Sequence, residues 1–114
     1  MTELQALTPE QLRSLTQELK QALTDLYGER LDKVILYGSY ARSDFHDESD
    51  VDVLAVLRVD SVRPSGEFRK YGDIVWAMWE KYGVWVSIRL TSVAKFTSSD
   101  LMLYQNIRAQ GKTI

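Results

Sequence analysis

The chain has 114 residues, no cysteine, one histidine and a formal charge of −2 at pH 7. That length allows a single domain over residues 1–114, and the lack of cysteine excludes a disulfide scaffold, a thiol nucleophile and thiolate-held metals. His46 alone cannot build a multi-histidine zinc cage, and a slightly acidic balance excludes general nucleic-acid binding, which rests on many Lys/Arg–phosphate contacts.

The N-terminus, Met1-Thr2-Glu3, lacks the basic and apolar regions of a signal peptide, and no apolar run approaches the ~20 residues of a membrane span. The expectation is a small cytoplasmic domain. If it is an enzyme, its site is made of carboxylates, hydroxyls and backbone.

Thr8 is a good N-cap, Pro9 suits the first helical position, and Gln11 completes a capping box. Leu12, Leu15, Leu19, Leu23 and Leu26 follow at spacings of three and four, an amphipathic stripe, with Gly28 as its stop. Lys33–Tyr37 is a short β-rich run ending at Gly38-Ser39, and Tyr40–Ser49 is polar and predicts a turn plus loop. Val51–Leu57 predicts a second strand and Arg58–Ser65 a loop. Phe68, Tyr71, Ile74, Val75, Met78, Trp79 and Tyr82 predict a helix closed by Gly83. Val84–Leu90 alternates as a third strand, and Ser98-Ser99-Asp100 caps a final helix running through Ala109 and stopping before Gly111. The predicted order is α, β, β, α, β, α, an α+β or α/β domain of minimal size.

The chemistry concentrates between Leu36 and Val53. Gly38 sits where a strand ends, and a residue without Cβ lets backbone approach a ligand closely. If the next segment is helical, its free N–H groups and the Ser39 hydroxyl form an anion site. Asp50 and Asp52 are two apart on a predicted strand, so their carboxylates share a face. Two such oxygens suit Mg²⁺, which takes a few carboxylates and completes its shell with water and substrate phosphates. A phosphate cradle facing a Mg²⁺ carboxylate pair is the equipment of metal-assisted nucleotidyl transfer.

Gly38-Ser39, ten residues, then Asp50-Val51-Asp52 resembles the Gly-Ser-x10-Asp-x-Asp signature of the polymerase-β-like nucleotidyltransferase superfamily. Tyr37-Gly-Ser-Tyr-Ala-Arg42, Ser49-Asp-Val-Asp52 and Tyr104-Gln-Asn-Ile-Arg108 followed by Gly111 are similar to its minimal nucleotidyltransferase (MNT) members, over Leu31–Ile114. The resemblance implies an α+β fold, a small mixed sheet backed by helices. It implies Mg²⁺-dependent transfer of AMP from ATP to a partner, commonly a HEPN-domain RNase toxin whose antitoxin is the MNT protein. By carry-over, Gly38 and Ser39 hold the triphosphate and Asp50 and Asp52 bind Mg²⁺ as the catalytic pair. Arg42 either contacts phosphate or pairs with the Asp44–Glu48 cluster. With only one domain's length, the acceptor arrives on another chain, in a homo- or hetero-oligomer.

One departure stands out. The superfamily usually places a third acid on a later strand, and pairing the faces puts Ser87 there. A serine replaces neither an anionic ligand nor a base. Asp44, Asp47 or Glu48 substitutes, or a partner supplies the base. The alternative function is a catalytically degenerate nucleotide-binding or toxin-binding module of the same fold. His46 reads as a surface loop residue. Trp76 lies off the Phe68–Tyr82 stripe and suits a protein interface, whereas Trp85 reads as packing.

Overall fold

The computed structural model describes residues 5–114, without the side chains of residues 64–68. The N-terminal residues Met1-Thr2-Glu3 and the Phe68 position of the helical stripe therefore lie outside the described parts. Helix α1 (Pro9–Tyr27) starts as its capping box predicts: Thr8 accepts from Gln11 N–H at 3.1 Å and the Gln11 side chain accepts from Thr8 N–H at 2.9 Å. Such a cap is worth about 1 kcal/mol. Gly28, at φ +58°, ends the helix, and a 3₁₀ turn (Gly28–Arg30) leads into strand β1 (Leu31–Tyr37).

A single helical turn, α2 (Ser39–Arg42), then leads through a loop to β2 (Val51–Leu57). Helix α3 (Pro64–Tyr82) starts inside the predicted loop because Pro64 takes the first helical turn, and Gly83 closes it in a left-handed conformation. Strand β3 (Val86–Ser92) is two residues later than predicted at both ends. A short helix α4 (Val93–Ser98), capped by Ser92 Oγ, precedes α5 (Met102–Gln110). The predicted Ser98–Asp100 cap is corrected accordingly: Leu101 is the N-cap residue of α5, and Ser99 Oγ accepts from Leu101 N–H. Strand β4 (Lys112–Thr113) makes a fourth strand where three were expected.

The sheet order is β3-β2-β1-β4, with β2–β3 parallel and both pairings of β1 antiparallel. This is the mixed α+β sheet expected. Alternation divides its side chains between two cores. Leu15, Leu19 and Leu23 of α1 pack with Val34, Leu36, Val53, Ala55 and Ile88 of the sheet and with Val75 and Met78 of α3. On the other face Ile35, Leu54 and Val56 meet Phe96 of α4 and Tyr104 and Ile107 of α5. Helices α1 and α3 are 19 residues each, whereas α4 and α5 are 6 and 9, so the second face has the shorter helical cover.

The motif Tyr104–Arg108 with Gly111 explains itself structurally. Arg108 donates to the Phe96 and Ser99 carbonyls (2.6 and 2.9 Å), tying α5 to α4. A Cβ on Gly111 would stand 2.5 Å from Ile35 Cγ2, so only glycine lets the chain turn into β4 there.

Candidate active site

Central strand β2 is covered on both faces, and a strand so placed is apolar along its whole length. Asp52 breaks that run: Val51 and Val53–Leu57 are all buried, while Asp52 is partly open. By alternation it lies on the α5 face with Leu54 and Val56, at the end of the sheet where α2 departs. It pairs with Tyr37 of β1 on one side and Ser87 of β3 on the other.

Here a cavity of about 360 Å³ opens, lined by Tyr37, Gly38, Ser39, Arg42 and Asp52, with Leu103, Asn106, Ile107 and Gln110 of α5 opposite. Gly38 has φ +76°, a left-handed value, and a Cβ on it would overlap Asp52 Oδ2. Gly38 O accepts from the N–H groups of Ala41 and Arg42, both at 3.1 Å. The turn is fixed by Tyr40, whose buried ring stacks on Phe45 at 4.5 Å and whose hydroxyl accepts from Leu7 N–H at 3.0 Å. Gly38→Ala is therefore expected to destabilise the chain by about 1–3 kcal/mol, the cost of a strained backbone, and to displace Asp52. Denaturant unfolding checks this: an unchanged midpoint would contradict the tight Gly38–Asp52 contact.

Burial pushes the Asp52 carboxyl above the usual carboxylate range, and the Asp50 charge adds to this, against Arg42 and Arg89, which pull it down. Asp50 itself stands exposed just before β2, not within a strand as expected. Val51 N–H donates to Trp85 O at 2.9 Å beside it. Asp52, Gly38, Ser39 and Arg42 thus meet around one cavity, with Asp50 next to it in sequence and felt through its charge.

Of the two roles weighed for Arg42, the structure shows the pairing, with its Nε at 3.1 Å from Asp44 Oδ2, while the residue also lines the cavity. The other loop residues brace the loop. Asp47 Oδ1 accepts from Ala6 N–H, and His46 Nδ1 accepts from Glu48 N–H, so His46 is the surface loop residue expected. Ser87 stands in register beside Asp52, as the pairing of faces predicted. Trp76 is 58% exposed, in keeping with its place off the helical stripe. Trp85, expected to pack, is 45% exposed and touches Trp79 edge-on, because it precedes β3 and escapes the sheet's alternation.

Three residues were given no role at the site by the sequence, although Asn106 lies within the Tyr104–Arg108 motif. Asn106 and Gln110 line the cavity from one face of α5. Arg89 hydrogen-bonds Tyr37, opposing the rise that burial imposes on the Tyr37 hydroxyl. A helix face with Leu103, Asn106, Ile107 and Gln110 at i, i+3, i+4 and i+7 is the signal that marks the first two.

Among the described residues no group of three or more His, Cys, Asp or Glu side chains converges. Two carboxylates, one held against a Cβ-less backbone, are a donor set that fits Mg²⁺, which needs one or two carboxylates plus substrate phosphates.

Residues 16–107 match the model of the nucleotidyltransferase domain family, and the chain belongs to that family. It is 33% identical over 98 residues to MJ0604 of Methanocaldococcus jannaschii, named as a candidate protein adenylyltransferase; the match spans 85% of this chain and 91% of that one. A second protein of that organism with the same designation, MJ0141, is 46% identical over 44 residues, 39% of this chain and 44% of its own.

Among solved structures, the fold is similar to a chain of a toxin–antitoxin complex crystallised with AMP-PNP (TM-score 0.63, 21% identity, 85% of this chain and 69% of that one). It is also similar to a chain from the Shewanella oneidensis complex of a tri-AMPylated HEPN toxin with its MNT antitoxin (TM-score 0.56, 17% identity, 89% of this chain and 69% of that one). A nucleotidyltransferase-like structure from Sulfolobus solfataricus aligns over 90% of this chain and 83% of its own (TM-score 0.56, 16% identity). At these identities the structural likeness concerns the fold. The chain is a nucleotidyltransferase by family, and no described helix is long and apolar enough to cross a membrane.

Proposed function

We propose that this chain is a cytoplasmic protein adenylyltransferase, transferring AMP from ATP to a hydroxyl of a HEPN-type toxin for which it is the antitoxin. The observation that carries the reading is Asp52, a charged residue within an otherwise buried strand, set against Gly38 at the mouth of a cavity.

In this reading Gly38 and Ser39 hold the triphosphate, Arg42 contacts phosphate, and Asn106 and Gln110 bound the nucleotide from the α5 side. Asp50 and Asp52 hold Mg²⁺, which when bound neutralises developing charge on the phosphates. The acceptor oxygen bonds to the α-phosphorus as the bond to the α–β bridging oxygen breaks. Pyrophosphate leaves, and the hydroxyl proton passes to water or to a base on the acceptor chain. Holding nucleotide and acceptor together at this cavity would let orientation supply much of the rate.

Ser87, in the place of a third acid, favours a second reading: a module that neutralises its toxin by contact. Incubation with α-labelled ATP, Mg²⁺ and a HEPN-domain protein from the same genome separates the two. Label is expected on the toxin, and its loss is expected with Asp50→Ala/Asp52→Ala. Absent label, with toxicity still neutralised by the double variant, overturns the transferase reading in favour of the second.

A further inference from the structure

Strand β3 is an edge of the sheet, and an unpaired edge invites another strand. Natural proteins blunt such edges or cover them. Along β3 a groove lies open instead. Two adjoining cavities, of about 260 and 350 Å³, have β3 as their floor from Ser87 to Ser92. Tyr71 of α3 and Val62 wall it on one side, and Lys95 and Tyr104 on the other.

Six residues of strand span about 20 Å, the reach of a short extended peptide. The Val51 N–H to Trp85 O bond and the parallel register turn the backbone of Ser87, Arg89 and Thr91 toward β2 and that of Ile88 and Leu90 outward, and no backbone bond from a described residue outside the sheet is made to those two. Thr91 Oγ1, on this floor, is the one buried side-chain polar atom without a hydrogen bond among the described residues. The groove begins at Ser87, the register partner of Asp52, which brings its end beside the candidate active site.

We infer that the groove along β3 binds an extended, acidic segment of the acceptor protein as an added strand and so delivers its hydroxyl to Asp52. This rests on the transferase reading above and names how the acceptor docks. Main-chain pairing supplies affinity and the side chains at the walls supply selection, as in other strand-addition complexes. Arg89 and Lys95, both exposed, line the groove together with one acid, Asp60; Arg89 is engaged by Tyr37, so Lys95 is the cation that meets a carboxylate on the incoming strand. A second copy of this chain, pairing edge to edge about a two-fold axis, would set these cations against their own counterparts.

The test uses three seven-residue peptides with a central tyrosine: one alternating valine and glutamate, one with lysine for glutamate, and the acidic one N-methylated on alternate backbone nitrogens. Binding to the ¹⁵N-labelled full chain is followed by amide shifts. The acidic peptide is expected to shift the Ser87–Thr91 amides. The N-methylated and lysine versions are expected to bind at least tenfold more weakly, as is the acidic peptide to Lys95→Glu. No binding of the acidic peptide at millimolar concentration, equal binding of the N-methylated form, or a concentration-dependent dimer closing the β3 edge overturns the inference. The two readings fail separately. Peptide bound along β3 without AMP transfer to the toxin sinks the chemistry and keeps the groove. Labelled toxin with β3 amides unmoved by the peptide sinks the groove and keeps the chemistry.

Discussion

Asp52→Asn is expected to abolish AMP transfer and, in metal-free buffer at neutral pH, to raise the melting temperature. The two effects share one cause. Burial and the neighbouring Asp50 charge raise the Asp52 carboxyl above its ordinary value, so the folded chain holds the ionised form at a cost. For an acid raised on folding, the stabilising contribution is complete below its unfolded pKa and is lost as pH rises through the folded pKa. The native chain without metal therefore loses stability as pH climbs past the carboxylate range, whereas asparagine, uncharged, does not. On the proposed reading, Mg²⁺ with nucleotide is expected to restore the native chain by neutralising the carboxylates, and to do little for the variant. If Asp52 holds the metal as proposed, its loss removes several kcal/mol of transition-state stabilisation, about a thousandfold in rate. Tryptophan-fluorescence melts at pH 5 and pH 7 in chelator, alongside single-turnover transfer, read both effects. A variant less stable than the native chain at pH 7 in chelator would show that Asp52 has a structural partner instead.

What the sequence disclosed and what it hid divide along a physical line. Features encoded within a few residues were legible. The Thr8–Gln11 box marked the start of α1, the leucine stripe its buried face, and the spacing of Gly38-Ser39 and Asp52 marked residues that line one cavity. Elements that exist only through tertiary partners were not. Four residues of α2 show no helical period, and what holds them is Tyr40 buried against Phe45 and Leu7. β4 is two exposed residues whose sole reason to be a strand is pairing with Ile35 and Leu36. α4 carries β-branched and serine residues, poor helix formers, and is secured by the Ser92 cap, the buried Phe96 and the Arg108 clamp. The cavity's far wall was hidden for the same reason. Asn106 and Gln110 lie far along the chain from Gly38 and Asp52 and reach their cavity only when α5 docks, and Arg89 meets Tyr37 only when β3 pairs.

Ser87→Asp is expected to speed AMP transfer by roughly 10²–10⁴, the usual worth of a positioned general base. Residue 87 lies on the strand beside Asp52, in parallel register, and its side chain shares that face of the sheet. A carboxylate there can take the acceptor hydroxyl's proton as the new bond to phosphorus forms, a task serine does not perform. The substitution carries an opposite effect on the protein alone. A third negative charge beside Asp50 and Asp52 repels both, so the metal-free melting temperature is expected to fall, with Arg89 softening the drop. Added Mg²⁺ should then stabilise this variant more than the native chain. Single-turnover labelling at saturating ATP measures the rate, and melts with and without Mg²⁺ measure the repulsion. A rate unchanged despite the larger response to Mg²⁺ would place the base on the acceptor itself. The open position at Ser87 would then be a division of labour, in which transfer runs only when the right acceptor brings its own proton acceptor to the cavity.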